Sequence, residues 1–161
     1  MTGRDQAKAV LHAARRRGWR IATAESCTGG LVGGALTAIA GSSDVYDRGF
    51  ITYSYPAKVA MLGVPQVLLA QHGAVSEPVA RAMAEGALAA SDANVTIAVT
   101  GVAGPGASEA KPEGLVWFAV ATAEETVAER RDFGPLGRDA VRTVSVETAL
   151  DLLLQALVRT P

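Results

Sequence analysis

The stretch Thr23-Ala24-Glu25-Ser26-Cys27-Thr28-Gly29-Gly30 sets a hydroxyl beside a thiol where β-forming residues give way to glycine. A strand delivering these residues to the start of a helix would place them at the carboxyl edge of a sheet, where ligands bind and where unpaired helix N–H groups can hold an oxyanion or a phosphate. Ser26 could there act as nucleophile, phosphate contact or helix cap. Cys27 is a competing nucleophile if the helix terminus lowers its pKa, and an inert buried thiol otherwise. Gly29, Gly30, Gly33 and Gly34 follow, and each glycine costs roughly 0.5–1 kcal/mol relative to alanine inside a helix. Close approach of ligand or backbone would offset that cost; so would helix-to-sheet packing on a face of Gly30, Gly33, Gly34 and Thr37.

Tyr53, Ser54 and Lys58 form a second group. A desolvated, uncharged lysine can be a general base toward a serine, and a tyrosine hydroxyl can relay a proton or orient a substrate. By spacing alone Lys58 is a surface lysine. The third group is Thr100-Gly101-Val102-Ala103-Gly104-Pro105-Gly106. Its glycines can point amides at an anion, yet it lacks the Gly-Lys-Ser/Thr end of a nucleotide P-loop and is not Gly-x-Gly-x-x-Gly, so it argues for a phosphate or carbonyl contact and against ATP. Arg138 and Arg142, one turn apart at the start of the last helix, are the cations best placed to join it. His72, in Gln71-His72-Gly73, reads as a turn or interface residue, and His12 as an exposed one.

The elements that must position these groups follow from hydrophobic period and turn chemistry. Ala7, Val10, Leu11 and Ala14 predict a helix over 4–17, with Arg15, Arg16 and Arg17 compensating its dipole and Gly18 as its stop. A strand over 19–24 leads into a helical segment ending near Ala40, and a strand over 49–54 precedes a helix opening at Pro56. Ser76 caps a helix over 77–90. Residues 94–100 form a strand and 101–114 a loop; 115–122 and 126–133 pair as a hairpin, and the last helix runs over 138–158. The pattern predicts an α/β fold, a three-layer α/β/α sandwich with a mixed sheet of about five strands.

The chain has 161 residues, 49% of them hydrophobic, enough for one domain over 1–161. Fifteen Lys and Arg against sixteen Asp and Glu leave a net charge of -1, which gives no general attraction to nucleic acid or an anionic membrane. One cysteine and two histidines can build neither an intramolecular disulfide nor the usual zinc sites, so no metal is expected. The N-terminus begins a charged amphipathic segment, with no apolar run of membrane-spanning length. A cytoplasmic protein is expected.

Together, Ala24 to Gly30, Gly49 to Ser54 with Lys58, His72-Gly73-Ala74-Val75-Ser76-Glu77, and Gly101 to Pro105 with Lys111-Pro112 closely resemble the C-terminal domain family of competence/damage-inducible protein CinA, over about residues 6–158. Stand-alone members of that family include nicotinamide-nucleotide amidases. The resemblance implies the same three-layer fold and hydrolysis of the carboxamide of nicotinamide mononucleotide to the nicotinate nucleotide and ammonia, without a cofactor. By position, Ser26 resembles the nucleophile, Lys58 its base and Tyr53 an assisting hydroxyl. Thr100, Gly101 and the loop at Gly104 resemble substrate-holding elements, and Arg142 an anchoring cation; Thr28, Gly29 and Gly30 at the helix start complete the expected binding set. A homodimer or larger assembly is also implied. Three positions depart from the usual pattern: Tyr55 follows Tyr53-Ser54 where a small polar residue is common, Leu136-Gly137-Arg138 lacks an acid before the arginine, and Glu113 stands where an apolar side chain is common. The alternatives are a catalytically silent binding module and an amidase for another pyridine or nucleotide amide.

Overall fold

The structure, a computed structural model, describes residues 1–159. Helix α1 (Gly3–Arg17) buries Ala7, Val10, Leu11 and Ala14, the stripe its sequence period requires, and begins at a capping box between Thr2 and Asp5. Strands β1 (Ile21–Glu25), β2 (Tyr46–Ile51), β3 (Val95–Gly101), β4 (Leu115–Thr122) and β5 (Thr126–Asp132) form one sheet in the order β2-β1-β3-β4-β5. The β1–β2 and β1–β3 pairs are parallel; β3–β4 and β4–β5 are antiparallel. The mixed α/β architecture is the one predicted.

Helices α2 (Leu31–Thr37) and α6 (Arg138–Val158) join α1 on one face of the sheet, over a core of large side chains that includes Ile21, Ile97, Val99, Val116 and Phe118. On the other face lie α3 (Tyr55–Leu62), α4 (Gln66–His72) and α5 (Glu77–Ala89). That face is lined by small residues. One row across the sheet reads Phe50, Ala24, Ala98, Ala119 and Ala128, each paired with the next. Helix α5 meets this row with Ala80, Ala84 and Ala87. The approach is close enough for the Thr96 hydroxyl to donate to the α5 carbonyl of Ala84 at 2.7 Å.

Three local expectations are corrected. Strand β2 spans Tyr46–Ile51 rather than 49–54: it is an edge strand, only partly buried, and Thr52 to Ser54 already form the turn into α3. The helix after Gly30 ends at Thr37 instead of continuing toward Ala40. Helix α4, read from sequence only as the turn around His72, buries Leu69 alone and so leaves little periodic signal. Among the described residues, no helix is long and apolar enough to cross a membrane.

Candidate active site

Strand β1 lies between β2 and β3 and ends at Glu25, so the next residue is held rigidly: the Ser26 amide still donates to Val99 O at 2.9 Å before the chain turns. Facing it is Lys58, on the first turns of α3. Ser54 caps that helix by accepting from Ala57 N at 3.1 Å, and Pro56 supplies its preset dihedral. Lys58 is wholly buried. Its Nζ lies 3.0 Å from Ser26 Oγ, 2.7 Å from Thr52 O and 3.3 Å from Tyr53 O. Burial disfavours the ammonium and lowers the Lys58 pKa to about 8, while the Glu109 carboxylate pulls in the opposite direction. As an ammonium, Lys58 donates to all three oxygens; as an amine it keeps two N–H bonds to the carbonyls and turns a lone pair toward the Ser26 hydroxyl.

The neighbouring thiol is different in kind. Cys27 is buried, and desolvation raises its pKa to about 11 despite Arg142 and Arg138 nearby. It stays a thiol at neutral pH, contrary to what a helix N-terminus alone would suggest.

The helix terminus itself is already occupied. Glu25, 1% exposed, accepts at Oε1 from Thr28 Oγ1 (2.6 Å), Gly30 N (3.2 Å) and Val32 N (2.9 Å), and at Oε2 from Gly33 N (2.9 Å). The free amides that made this turn attractive for a phosphate are therefore satisfied by a carboxylate of the chain itself. Thr28 is buried against Glu25, and Gly29 and Gly30 do not line the cavity at Ser26, so the structure does not bring these three expected binding residues to it. Gly33 serves packing: a Cβ there would sit 2.5 Å from the Tyr46 hydroxyl. Arg142 donates to Cys27 O at 3.3 Å and Thr28 O at 3.4 Å, bracing the turn from behind, and it too is absent from the cavity wall.

The cavity has a volume of about 300 Å³ and contains Ser26, Lys58, Tyr53, Thr100, Gly101 and Gly104 among its lining. Thr100 donates to Ala74 O at 2.9 Å, tying the end of β3 to the segment before α5. Tyr53 contributes its carbonyl to Lys58, while its phenol accepts from Arg138 at 2.7 Å; Arg138 also donates to Gly104 O at 2.6 Å. The arginine on the cavity wall is thus Arg138 rather than Arg142. Glu113 accepts from Gly106 N at 2.7 Å and Gly137 N at 2.8 Å, so it joins the glycine loop to the start of α6, whose N-cap glycine has no side chain to do so. Also in the cavity lining, the Tyr55 hydroxyl donates to Glu109, which accepts in addition from Ala74 N (3.0 Å) and Val75 N (3.1 Å). His72 and His12 are exposed and outside the cavity.

Sequence reasoning missed Glu25 and Glu109 altogether and noted Tyr55 and Glu113 only as departures. For Glu25 a signal existed: an acid at the end of a buried strand, just before a glycine-rich helix start, faces amides that have no partner within the helix. Glu109 acts across thirty-four residues, and nothing local announces it.

A serine and a buried lysine thus lie within hydrogen-bond reach at the carboxyl edge of this sheet. The family model for the CinA C-terminal domain matches residues 4–157. The chain belongs to the CinA C-terminal domain family. Its relatives include the nicotinamide-nucleotide amidohydrolase PncC of Escherichia coli strain K12, 50% identical over 151 residues, covering 93% of this chain and 92% of that one. The competence/damage inducible protein CihA of Agrobacterium tumefaciens superposes with a TM-score of 0.92 at 46% identity, covering 96% of this chain and 94% of that one. The competence damage-inducible protein A (ComA) of Klebsiella pneumoniae has a TM-score of 0.96 at 38% identity and full coverage of both chains. CinA-family structures therefore share the sheet order and helix layers that carry Ser26 and Lys58 here.

Proposed function

We propose that the protein is a nicotinamide-nucleotide amidohydrolase in which Ser26 is the nucleophile and Lys58 its base. Likeness to amidohydrolases along almost the whole chain supports the activity. The mechanism rests on one observation: Lys58 Nζ is buried, 3.0 Å from Ser26 Oγ, and among the described residues no carboxylate hydrogen-bonds to it. With a pKa of about 8, about one molecule in ten carries the neutral amine at pH 7. The same lysine at its unperturbed pKa would be neutral in about one molecule in 2,500.

The amine removes the Ser26 hydroxyl proton as Oγ attacks the carboxamide carbon, giving a tetrahedral intermediate. The resulting ammonium returns that proton to the departing nitrogen; the C–N bond breaks, ammonia leaves and an acyl ester remains on Ser26. Water then attacks the ester with Lys58 again as base, and the carboxylate product and free serine are restored. Arg138 and the loop Gly101 to Gly106 face the cavity where an anionic phosphate would sit, and Arg138 is the one guanidinium on that wall. Arg142 stands behind the turn, orienting Cys27 and Thr28 and thereby Ser26.

The test is ammonia release from nicotinamide mononucleotide and from free nicotinamide. Turnover of the nucleotide, with nicotinamide much poorer, is expected. Equal turnover of both at low concentration would remove the phosphate from the argument, and turnover of neither would favour a silent binding module.

A further inference from the structure

Among the described residues the cavity lining that holds Arg138 also includes one carboxylate, Glu109, which is held in place by several donors. Its oxygens take the Tyr55 hydroxyl and the amides of Ala74 and Val75. Glu109 and its neighbour Ala110 have φ of 54° and 60°, a backbone region that residues with a side chain seldom adopt, in the tight turn closed by the Ser108–Lys111 bridge. That turn points the Glu109 carboxylate back toward the segment 73–75. The nearest cation, Lys111, pairs with Glu109 at 3.5 Å, while its Nζ also donates to His72 O at 2.6 Å and Val75 O at 2.5 Å. Glu109 lines the cavity and Lys111 does not, so the pair turns its negative end to the ligand.

We propose that Tyr55 and Glu109 form the wall that selects a positively charged heteroaromatic ring, so that the cavity distinguishes a carboxamide on a pyridinium from the same carboxamide on a neutral ring. This rests on the nucleotide amidase reading above and adds to it the feature of the substrate that is recognised. A pyridinium quaternised by a ribose carries a positive charge, and its phosphate a negative one. The cavity lining carries both signs: the Glu109 carboxylate bonded to the half-exposed Tyr55, and Arg138 hydrogen-bonded to the phenol of Tyr53. Aromatic faces and a carboxylate both favour a cation. Tyr55 acts twice, offering its ring to the cavity and fixing the carboxylate through its hydroxyl.

The test compares nicotinamide mononucleotide with its 1,4-dihydro form, in which ribose and phosphate are unchanged and the ring is neutral. Reduction also makes the carbonyl less electrophilic, so affinity is read by calorimetry on Ser26→Ala protein, with ammonia release by the intact enzyme alongside. Tighter binding of the oxidised form, by about tenfold, is expected. Glu109→Gln should erase most of that preference by weakening the oxidised form and leaving the reduced form within about twofold, and Tyr55→Ser should do the same. Equal affinity for the two ring forms, read without altering Glu109, overturns the proposal even if the glutamine variant misfolds. Equal weakening of both forms by Glu109→Gln also overturns it, making the residue a buttress for Ala74 and Val75. A preference for the oxidised form without ammonia release would count against hydrolysis and leave the charge selection standing.

Discussion

Two glycine-rich turns sit side by side at the carboxyl edge of the sheet, and they do opposite things. The turn from β1 to α2 closes on itself: Glu25 takes its hydroxyl and three of its amides, Arg142 takes two of its carbonyls, and Ser26 is left beside Lys58. The loop after β3 is tied down at Val102, Gly104, Gly106 and the Ser108–Lys111 turn, and residues along it line the cavity. Glycine after a strand therefore does not by itself make an anion site. What decides is whether the chain already supplies an anion, and here a buried glutamate does so for one turn.

The contrast can be broken most severely at its reacting atom. Ser26→Ala should lower kcat/KM for ammonia release by at least about a thousandfold, whereas Cys27→Ala should keep most of the activity. The reverse pattern would make this a thiol amidase despite the raised thiol pKa. Next is the base: Lys58→Met should lose at least about a hundredfold, and Lys58→Arg as much, because a guanidinium cannot deprotonate near neutral pH. In the unaltered enzyme kcat/KM should rise with pH and level off above about 8. The same group links pH to stability. Between its folded pKa and the unfolded value of 10.5 the unfolded chain binds the extra proton, so the Lys58 contribution to stability increases as pH rises through that window, which urea titrations at several pH values would read.

The smaller effects separate the two turns from each other. Glu25→Ala strands four donors, three of them buried, and should cost about 3 kcal/mol or more of unfolding free energy, while Glu25→Gln, keeping one acceptor oxygen, should cost less. Glu113→Val frees two amides on a more exposed loop. It should cost only about 1 kcal/mol and should raise KM more than it lowers kcat, because the tie between Gly106 and Gly137 holds the ligand side and not Ser26. A Glu25 variant that kept stability but lost ligand affinity would show that the first turn faces the substrate after all.

Sequence period carried most of the scaffold. The apolar stripe of α1 is legible because one-sided burial imposes a period, β3 because burial on both faces demands an unbroken run of β-formers, and the hairpin β4–β5 because two strand-like runs flank a short turn. Where burial is partial the reading slipped: the edge strand β2 was set three residues late because Thr52 and Tyr53 are as β-prone as the residues before them, and α4 buries only one side chain. At the site, Ser26, Lys58, Tyr53, Thr100, Gly101 and Gly104 were identified and do converge on one cavity. The charges around them were assigned less well. Arg138 and Arg142 are one turn apart, and sequence has no means to say which faces the ligand. Glu109 reaches the site only through a turn that needs left-handed backbone at non-glycine residues, a conformation composition does not disclose.

The row of alanines from Ala24 to Ala128 has a consequence for how the chain tolerates change. Valine is the better strand former, so Ala98→Val or Ala119→Val would look harmless by propensity. Yet α5 rests directly on that row, and Gly86 of α5 already meets the Leu62 carbonyl so closely that a Cβ would lie 1.9 Å from it. Added methyl groups must lift the helix, and its leading end carries Ala74 to Ser76, the segment bonded to Thr100 and Glu109. The alanine layer thus works as a spacer that sets the width of a cavity it never touches. Drift at these buried, chemically featureless positions would be registered first as altered substrate fit.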